Sequence, residues 1–227
     1  MTSFVLVHGA FCDGDYWAEV PGLLRDAGHE VHVAELPSTG PEPAGLGGLS
    51  EDVGEVRRLV AEAAEPVVLV GHSYGGVVIT ELADDPRVGH SVYLGALWPQ
   101  RGQALMDLMT GPVDWVVPTA DGSAVQVTDD VARAAEVICA DLDPEQVPDW
   151  HRRLLLSSAT AVGTPVAAPD RSHPTTYVVL EKDNAVPVDA QEATAGRADH
   201  VERLATSHSP QLVDPAGVAA VLSRVSV

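Results

Sequence analysis

Three residues of this chain have the types and the order needed to make a serine hydroxyl reactive: Ser73, Asp183 and His208. A serine hydroxyl is a weak nucleophile at its free pKa. It needs a base within hydrogen-bond reach, and the base needs an acid to orient it. Ser73 stands in Gly71-His72-Ser73-Tyr74-Gly75-Gly76, between the apolar run 66–70 and the helical pattern 77–82. A G-x-S-x-G between strand and helix is a nucleophile elbow, a strained turn that lifts the hydroxyl clear of the sheet. Gly71 and Gly75 have no Cβ to keep strand and helix apart, and Gly76 leaves further room. An idle serine in a glycine-rich turn is the plainer alternative, but the strand and the helix are both legible.

In sheets that carry such an elbow the acid and then the histidine follow the serine, each after the carboxyl end of a strand. Asp183 lies three residues beyond the run Thr176-Tyr177-Val178-Val179-Leu180, and His208 follows the last predicted strand. Glu181, Asp189 and Asp199 are weaker acids for the task, placed too near the strand or in and after the following helix. His200 precedes the last strand, at the wrong end, and His173 reads as a loop residue. A tetrahedral oxyanion would need two donors. Tyr74 offers its backbone N–H at the start of the helix; Ala10, in His8-Gly9-Ala10-Phe11, is the candidate for the second, ahead of Phe11.

The elements that must hold these residues alternate. Strands are expected over 4–7, 30–36, 66–70 and 88–94, with helices over 15–27 and from about 49. That rhythm predicts an α/β fold, parallel strands with crossover helices on both faces. It breaks after Leu97: residues 98–172 are rich in proline, with short helical stretches near 102–110, 128–138 and 144–158. They read as an insertion capping a core made of 1–97 and 173–227. Alternation then resumes with strand 176–180, helix 187–196, strand 200–205 and helix 215–225.

The chain has 227 residues, the length of one ordinary domain, and its 45% hydrophobic content suits a folded core. A formal net charge of −20 argues against nucleic acid or an anionic membrane as partner. Cys12 and Cys139 fit neither a disulfide framework nor a metal site. No signal peptide or membrane span is read from the chain, so a cytoplasmic protein is expected.

Phe4-Val5-Leu6-Val7-His8-Gly9-Ala10, Trp17, the elbow, Asp183-Asn184-Ala185-Val186-Pro187 and Ser207-His208-Ser209-Pro210 together resemble the α/β-hydrolase superfamily. The likeness is to its small esterase branch, which holds methyl-salicylate esterases and plant hydroxynitrile lyases. It covers essentially the whole chain and is loose over 98–172. It implies a mostly parallel six-stranded sheet with a helical lid, and the roles assigned above to Ser73, Asp183 and His208. The lyases of that branch carry a threonine in the first loop and a lysine after the histidine; here those places read Gly9-Ala10 and Ser209.

The expected activity is therefore cofactor- and metal-independent hydrolysis of a small, largely apolar ester, lactone or thioester by an acyl-enzyme route. A lyase, cyclase or small-molecule receptor reusing the same pocket is the alternative. Phe11, Trp17, Leu97, Trp98, Met106, Met109 and Trp115 are expected to wall the pocket. A homodimer is compatible with the chain.

Overall fold

The computed structural model describes residues 2–109 and 113–225. Its first strand, β1 (Ser3–Val7), is buried along its whole length, as a strand with layers on both faces must be. A 3-10 turn (Gly14–Trp17) and α1 (Val20–Asp26) follow. One helix was expected over 15–27. Ala18, at φ +47°, breaks it, and Pro21 sits in the first turn of α1. Gly28, at φ +88°, turns the chain out of that helix into β2 (Glu30–Val33). Next come the two-residue β3 (Thr39–Gly40) and α2 (Leu49–Glu62). The Glu51 carboxylate accepts from Gly48 N at 2.9 Å and so caps α2. β4 (Val67–His72), α3 (Gly75–Thr80) and β5 (Val88–Leu94) complete the first half.

Between β5 and β9 lie α4 (Leu105–Leu108), β6 (Val116–Pro118), β7 (Ala124–Val127), α5 (Val131–Ile138), α6 (Val147–Arg152), β8 (Leu156–Ser158) and α7 (Ala159–Gly163). β9 (Thr175–Leu180), α8 (Val188–Ala195), β10 (His200–Leu204), α9 (Pro210–Val213) and α10 (Pro215–Ser223) close the chain.

Six strands form one sheet in the order β10-β9-β5-β4-β1-β2, and every neighbouring pair is parallel. Alternate side chains go to opposite faces. Val5, Val7, Val67, Leu69, Tyr93 and Tyr177 meet α2 and α3 on one side. Phe4, Leu6, Val68, Val70, Val92 and Val178 meet Trp17, α1 and α10 on the other.

The expected helical lid is in fact mixed. β6, β7 and β8 join β3 in a four-stranded antiparallel sheet, order β3-β8-β7-β6. These strands are short and partly exposed, so no buried apolar run announces them. β3 also enters this layer from outside 98–172, so the layer is not a single stretch of chain.

Candidate active site

Ser73 occupies the turn between β4 and α3 at φ +52°, a left-handed conformation unusual for a residue with a Cβ. The turn is possible because its neighbours have none. A Cβ on Gly71 would fall 2.6 Å from the Gly75 carbonyl, and one on Gly75 2.4 Å from Val7 O.

All strands of the main sheet run the same way, so the loops after β4, β9 and β10 share one edge. There His208 Nε2 lies 2.9 Å from Ser73 Oγ, and His208 Nδ1 lies 2.7 Å from Asp183 Oδ2. The Asp183 side chain is buried and acceptor-only, so it fixes the tautomer: Nδ1–H donates to it, and Nε2 accepts from the Ser73 hydroxyl. Its other oxygen, Oδ1, accepts from Ala185 N at 2.8 Å and Val186 N at 2.9 Å. Such an arrangement can take the proton from Ser73 Oγ onto the imidazole while a buried carboxylate stabilises the imidazolium.

Three polar residues that sequence reasoning did not single out complete the support. Gln191 of α8 is wholly buried; it donates to Asp183 Oδ2 and Val186 O and accepts from Leu180 N. His72 donates from Nε2 to the His208 carbonyl at 2.8 Å, with the two rings 4.9 Å apart. Burial, then the neighbouring His208, pushes its pKa well below the usual imidazole range, so it acts as a neutral donor. Asp52 of α2 accepts from Tyr74 OH at 2.5 Å and Ser38 N at 2.9 Å, and its burial pushes its carboxyl upward. Only His72 had a local signal, its place inside the elbow.

The loop after β1 is equally determined. His8 Nδ1–H donates to Gly9 O at 2.9 Å, and Nε2 accepts from Leu36 N at 3.2 Å. Burial lowers the His8 pKa to about 4. In a planar trans peptide N–H and C=O point opposite ways, so the Ala10 N–H is aimed away from His8. Phe11 N is already committed to Ser157 Oγ at 2.8 Å. The backbone N–H groups of Ala10 and Tyr74 have no hydrogen-bond partner among the described residues.

A cavity of about 260 Å³ opens onto Ser73 and His208. Of the residues expected to wall it, Phe11, Leu97, Met106, Met109 and Trp115 do so, as do Ala10 and Tyr74. Trp17 and Trp98 do not. Trp17 is fully buried in the layer between the sheet and α1, among Phe4, Leu6 and Val20. Trp98 stacks on Tyr93 at 4.1 Å, and the Arg197 guanidinium covers its ring at 4.5 Å, so its faces are occupied. Cys12, Tyr16, Ile138 and Leu154 line the cavity instead.

The rejected candidates sit elsewhere. His200 stacks on His90 at the amino ends of β10 and β5, and His173 pairs with Ser91 at 2.8 Å. Both cysteines are free and buried, and burial holds them as thiols, Cys139 pushed up to about 12. Among the described residues no three His, Cys, Asp or Glu side chains are grouped to hold a metal ion. Nor is any described helix long and apolar enough to cross a membrane.

A serine on a strained strand-to-helix turn, facing an acid–histidine pair from later loops of one parallel sheet, defines the α/β-hydrolase class. The sequence agrees: residues 4–221 match the model of the alpha/beta hydrolase family, and the chain belongs to it. It is 40% identical to the carbendazim hydrolyzing esterase of Nocardioides sp. (strain SG-4G) over 116 residues, a match spanning 48% of either chain. To the pyrethroid hydrolase of Sphingobium wenxiniae (strain DSM 21828 / CGMCC 1.7748 / JZ-1) it is 27% identical, covering 98% of this chain and 87% of that one. The crystal structure of polyneuridine aldehyde esterase superposes with a TM-score of 0.81 at 21% identity, covering 98% of both chains, a likeness of fold.

Proposed function

We infer that the protein is a serine hydrolase of carboxylic esters, acting on a small, largely apolar substrate. The observation that carries this reading is the unbroken chain Ser73 Oγ–His208 Nε2, His208 Nδ1–Asp183 Oδ2, at the floor of an apolar cavity. Relatives named as esterases and hydrolases support it.

His208 takes the Ser73 proton as Oγ attacks the ester carbonyl carbon. The oxyanion that forms accepts hydrogen bonds from Ala10 N–H and Tyr74 N–H. His208 then protonates the departing alcohol, leaving an acyl group on Ser73. Water, deprotonated by His208, releases the acid and restores the serine. Asp183 keeps the imidazole in the tautomer both steps need. No cofactor or metal enters this scheme. Residues 98–172 serve as the cap that selects the substrate, because Met106, Met109, Trp115, Ile138 and Leu154 face the cavity. The two free thiols suit a reducing cytoplasm.

Cyanohydrin cleavage is disfavoured. Among the described residues no lysine or arginine lines the cavity, so a departing cyanide would have no ammonium or guanidinium to hold it. Ser209, next to the histidine, spends its hydroxyl hydrogen on Ile138 O at 2.9 Å.

Turnover of short p-nitrophenyl esters tests the assignment. Ser73→Ala should abolish it while the circular dichroism spectrum stays native; turnover at the wild-type rate in that variant would overturn the reading.

A further inference from the structure

The segment that walls the cavity also grips the loops carrying Asp183 and His208. Asn184 Nδ2 donates to Glu136 O at 2.8 Å, and Ser209 Oγ donates to Ile138 O at 2.9 Å. Ser207 donates twice to Asp141, from its backbone N to Oδ2 at 2.8 Å and from Oγ to Oδ1. The residues flanking His208 on both sides, and the one after Asp183, are thus tied to the short stretch 136–141. A further strand of this network is directional. Ser209 has given its hydrogen to Ile138 O, so it accepts from Tyr16 OH at 2.7 Å, and Tyr16 accepts from Trp150 Nε1 at 3.1 Å.

Asp141 differs from the other members of this network. It lies in the loop between α5 and α6, at the surface, and is not among the residues lining the cavity. Ser207, which it grips, is wholly buried. A surface carboxylate need not be stripped of water to bind, and charge-assisted hydrogen bonds are the stronger kind. Two oxygens holding two groups of one residue also fix its orientation. The His208 loop is pinned from the sheet side by His72 through the His208 carbonyl. On the outer side the pin at the preceding residue is Asp141.

We propose that Asp141 is a positioning residue for the histidine base: its bidentate hold on Ser207 sets the approach of His208 Nε2 to Ser73 Oγ, coupling the cap to the catalytic geometry. The proposal rests on the reading of Ser73 and His208 given above. Asp141 touches neither substrate nor reacting atoms, so its loss acts on chemistry and spares substrate binding.

The test compares Asp141→Ala, Asp141→Asn and Ser207→Ala in the full chain. It reads kcat and KM on a p-nitrophenyl ester and the rate at which a fluorophosphonate labels Ser73. A misplacement of about an ångström costs up to about a hundredfold, so D141A is expected to lose about tenfold or more in kcat and labelling rate. KM should stay within about twofold, as for an interaction used only in the transition state. D141N should recover most of the loss, because its amide oxygen can accept from Ser207 N while its NH2 donates to Ser207 Oγ. S207A, which keeps the backbone arm, should fall between D141A and the wild type, and it carries the test if D141A does not fold. Wild-type kcat and labelling in D141A and S207A, a loss confined to KM, or a D141N no better than D141A would each overturn the proposal. Labelling that persists in Ser73→Ala would instead overturn the underlying assignment.

Discussion

Gln191 and His208 share one acceptor, Asp183 Oδ2, with Gln191 Nε2–H at 2.9 Å and His208 Nδ1–H at 2.7 Å. The carboxylate therefore orients the imidazole from a position that Gln191 and the Ala185 and Val186 amides have already fixed. A buried anion is tolerable only when its lone pairs are so occupied.

Gln191→Leu keeps much of the volume and removes the amide. Leu180 N–H and Val186 C=O lose this partner. Each buried group left unpaired costs about 1–3 kcal/mol, so for the two a stability loss of about 2–6 kcal/mol is expected in urea denaturation. Activity should fall more than KM rises, since Asp183 is freed to turn. An unchanged kcat would show that the two main-chain amides suffice.

Ser73 sits at φ +52°, where a residue with a Cβ is strained by roughly 1–2 kcal/mol and glycine is not. Ser73→Gly and Ser73→Ala should both be inactive, yet differ in stability. The glycine variant is expected to melt at the same temperature as the alanine variant or higher, despite its more flexible unfolded chain. A distinctly less stable glycine variant would mean that the turn imposes little strain.

Ser157→Ala tests the first loop. Its hydroxyl holds Phe11 N, next to the Ala10 N–H read as an oxyanion donor. Losing an oxyanion donor outright costs about 3–4 kcal/mol of transition-state stabilisation. Loosening its loop should cost less, about tenfold in kcat. Steady-state kinetics decide, with wild-type kcat the adverse result.

His8 links stability to pH. Its pKa is lowered to about 4 in the folded chain from 6.5, chiefly by burial. Between those values the unfolded chain binds the proton and the folded one does not, so stability rises with pH there. Acidification from about pH 6.5 toward 4 should therefore remove up to about 3 kcal/mol, at about 1.36 kcal/mol per pKa unit. The slope of unfolding free energy between pH 5 and 7 should be shallower in His8→Asn. Equal slopes would assign the pH dependence to other groups.

The grouping of Ser73, Asp183 and His208 was legible in the chain because a parallel sheet converts linear order into place. Each carboxyl-end loop falls on one edge, so position after β4, β9 and β10 was enough to select Ser73, Asp183 and His208 over His173, His200 and Asp199. The elbow was readable for a still more local reason: backbone contacts of 2.4–2.6 Å awaiting any Cβ admit only glycine at Gly71 and Gly75. Trp17 and Trp98 show the limit. Hydrophobicity says that a side chain is buried without saying what it packs against: Trp17 lies on the α1 face of the sheet, and Trp98 packs against Tyr93 and Arg197.

The supporting polar residues depend on pairings that no local pattern records. Gln191 meets Asp183 across 8 residues, Asp52 meets Tyr74 across 22, and Asp141 meets Ser207 across 66. A polar side chain in a polar stretch reads as solvated until the chain brings its partner to it. The small antiparallel sheet is of the same kind, since β3 pairs with β8 from a distant part of the chain. Local sterics and strand order thus made legible which residues meet at the carboxyl edge of the sheet. Which groups hold them in register, and which walls enclose the cavity, was decided by contacts between segments far apart in sequence.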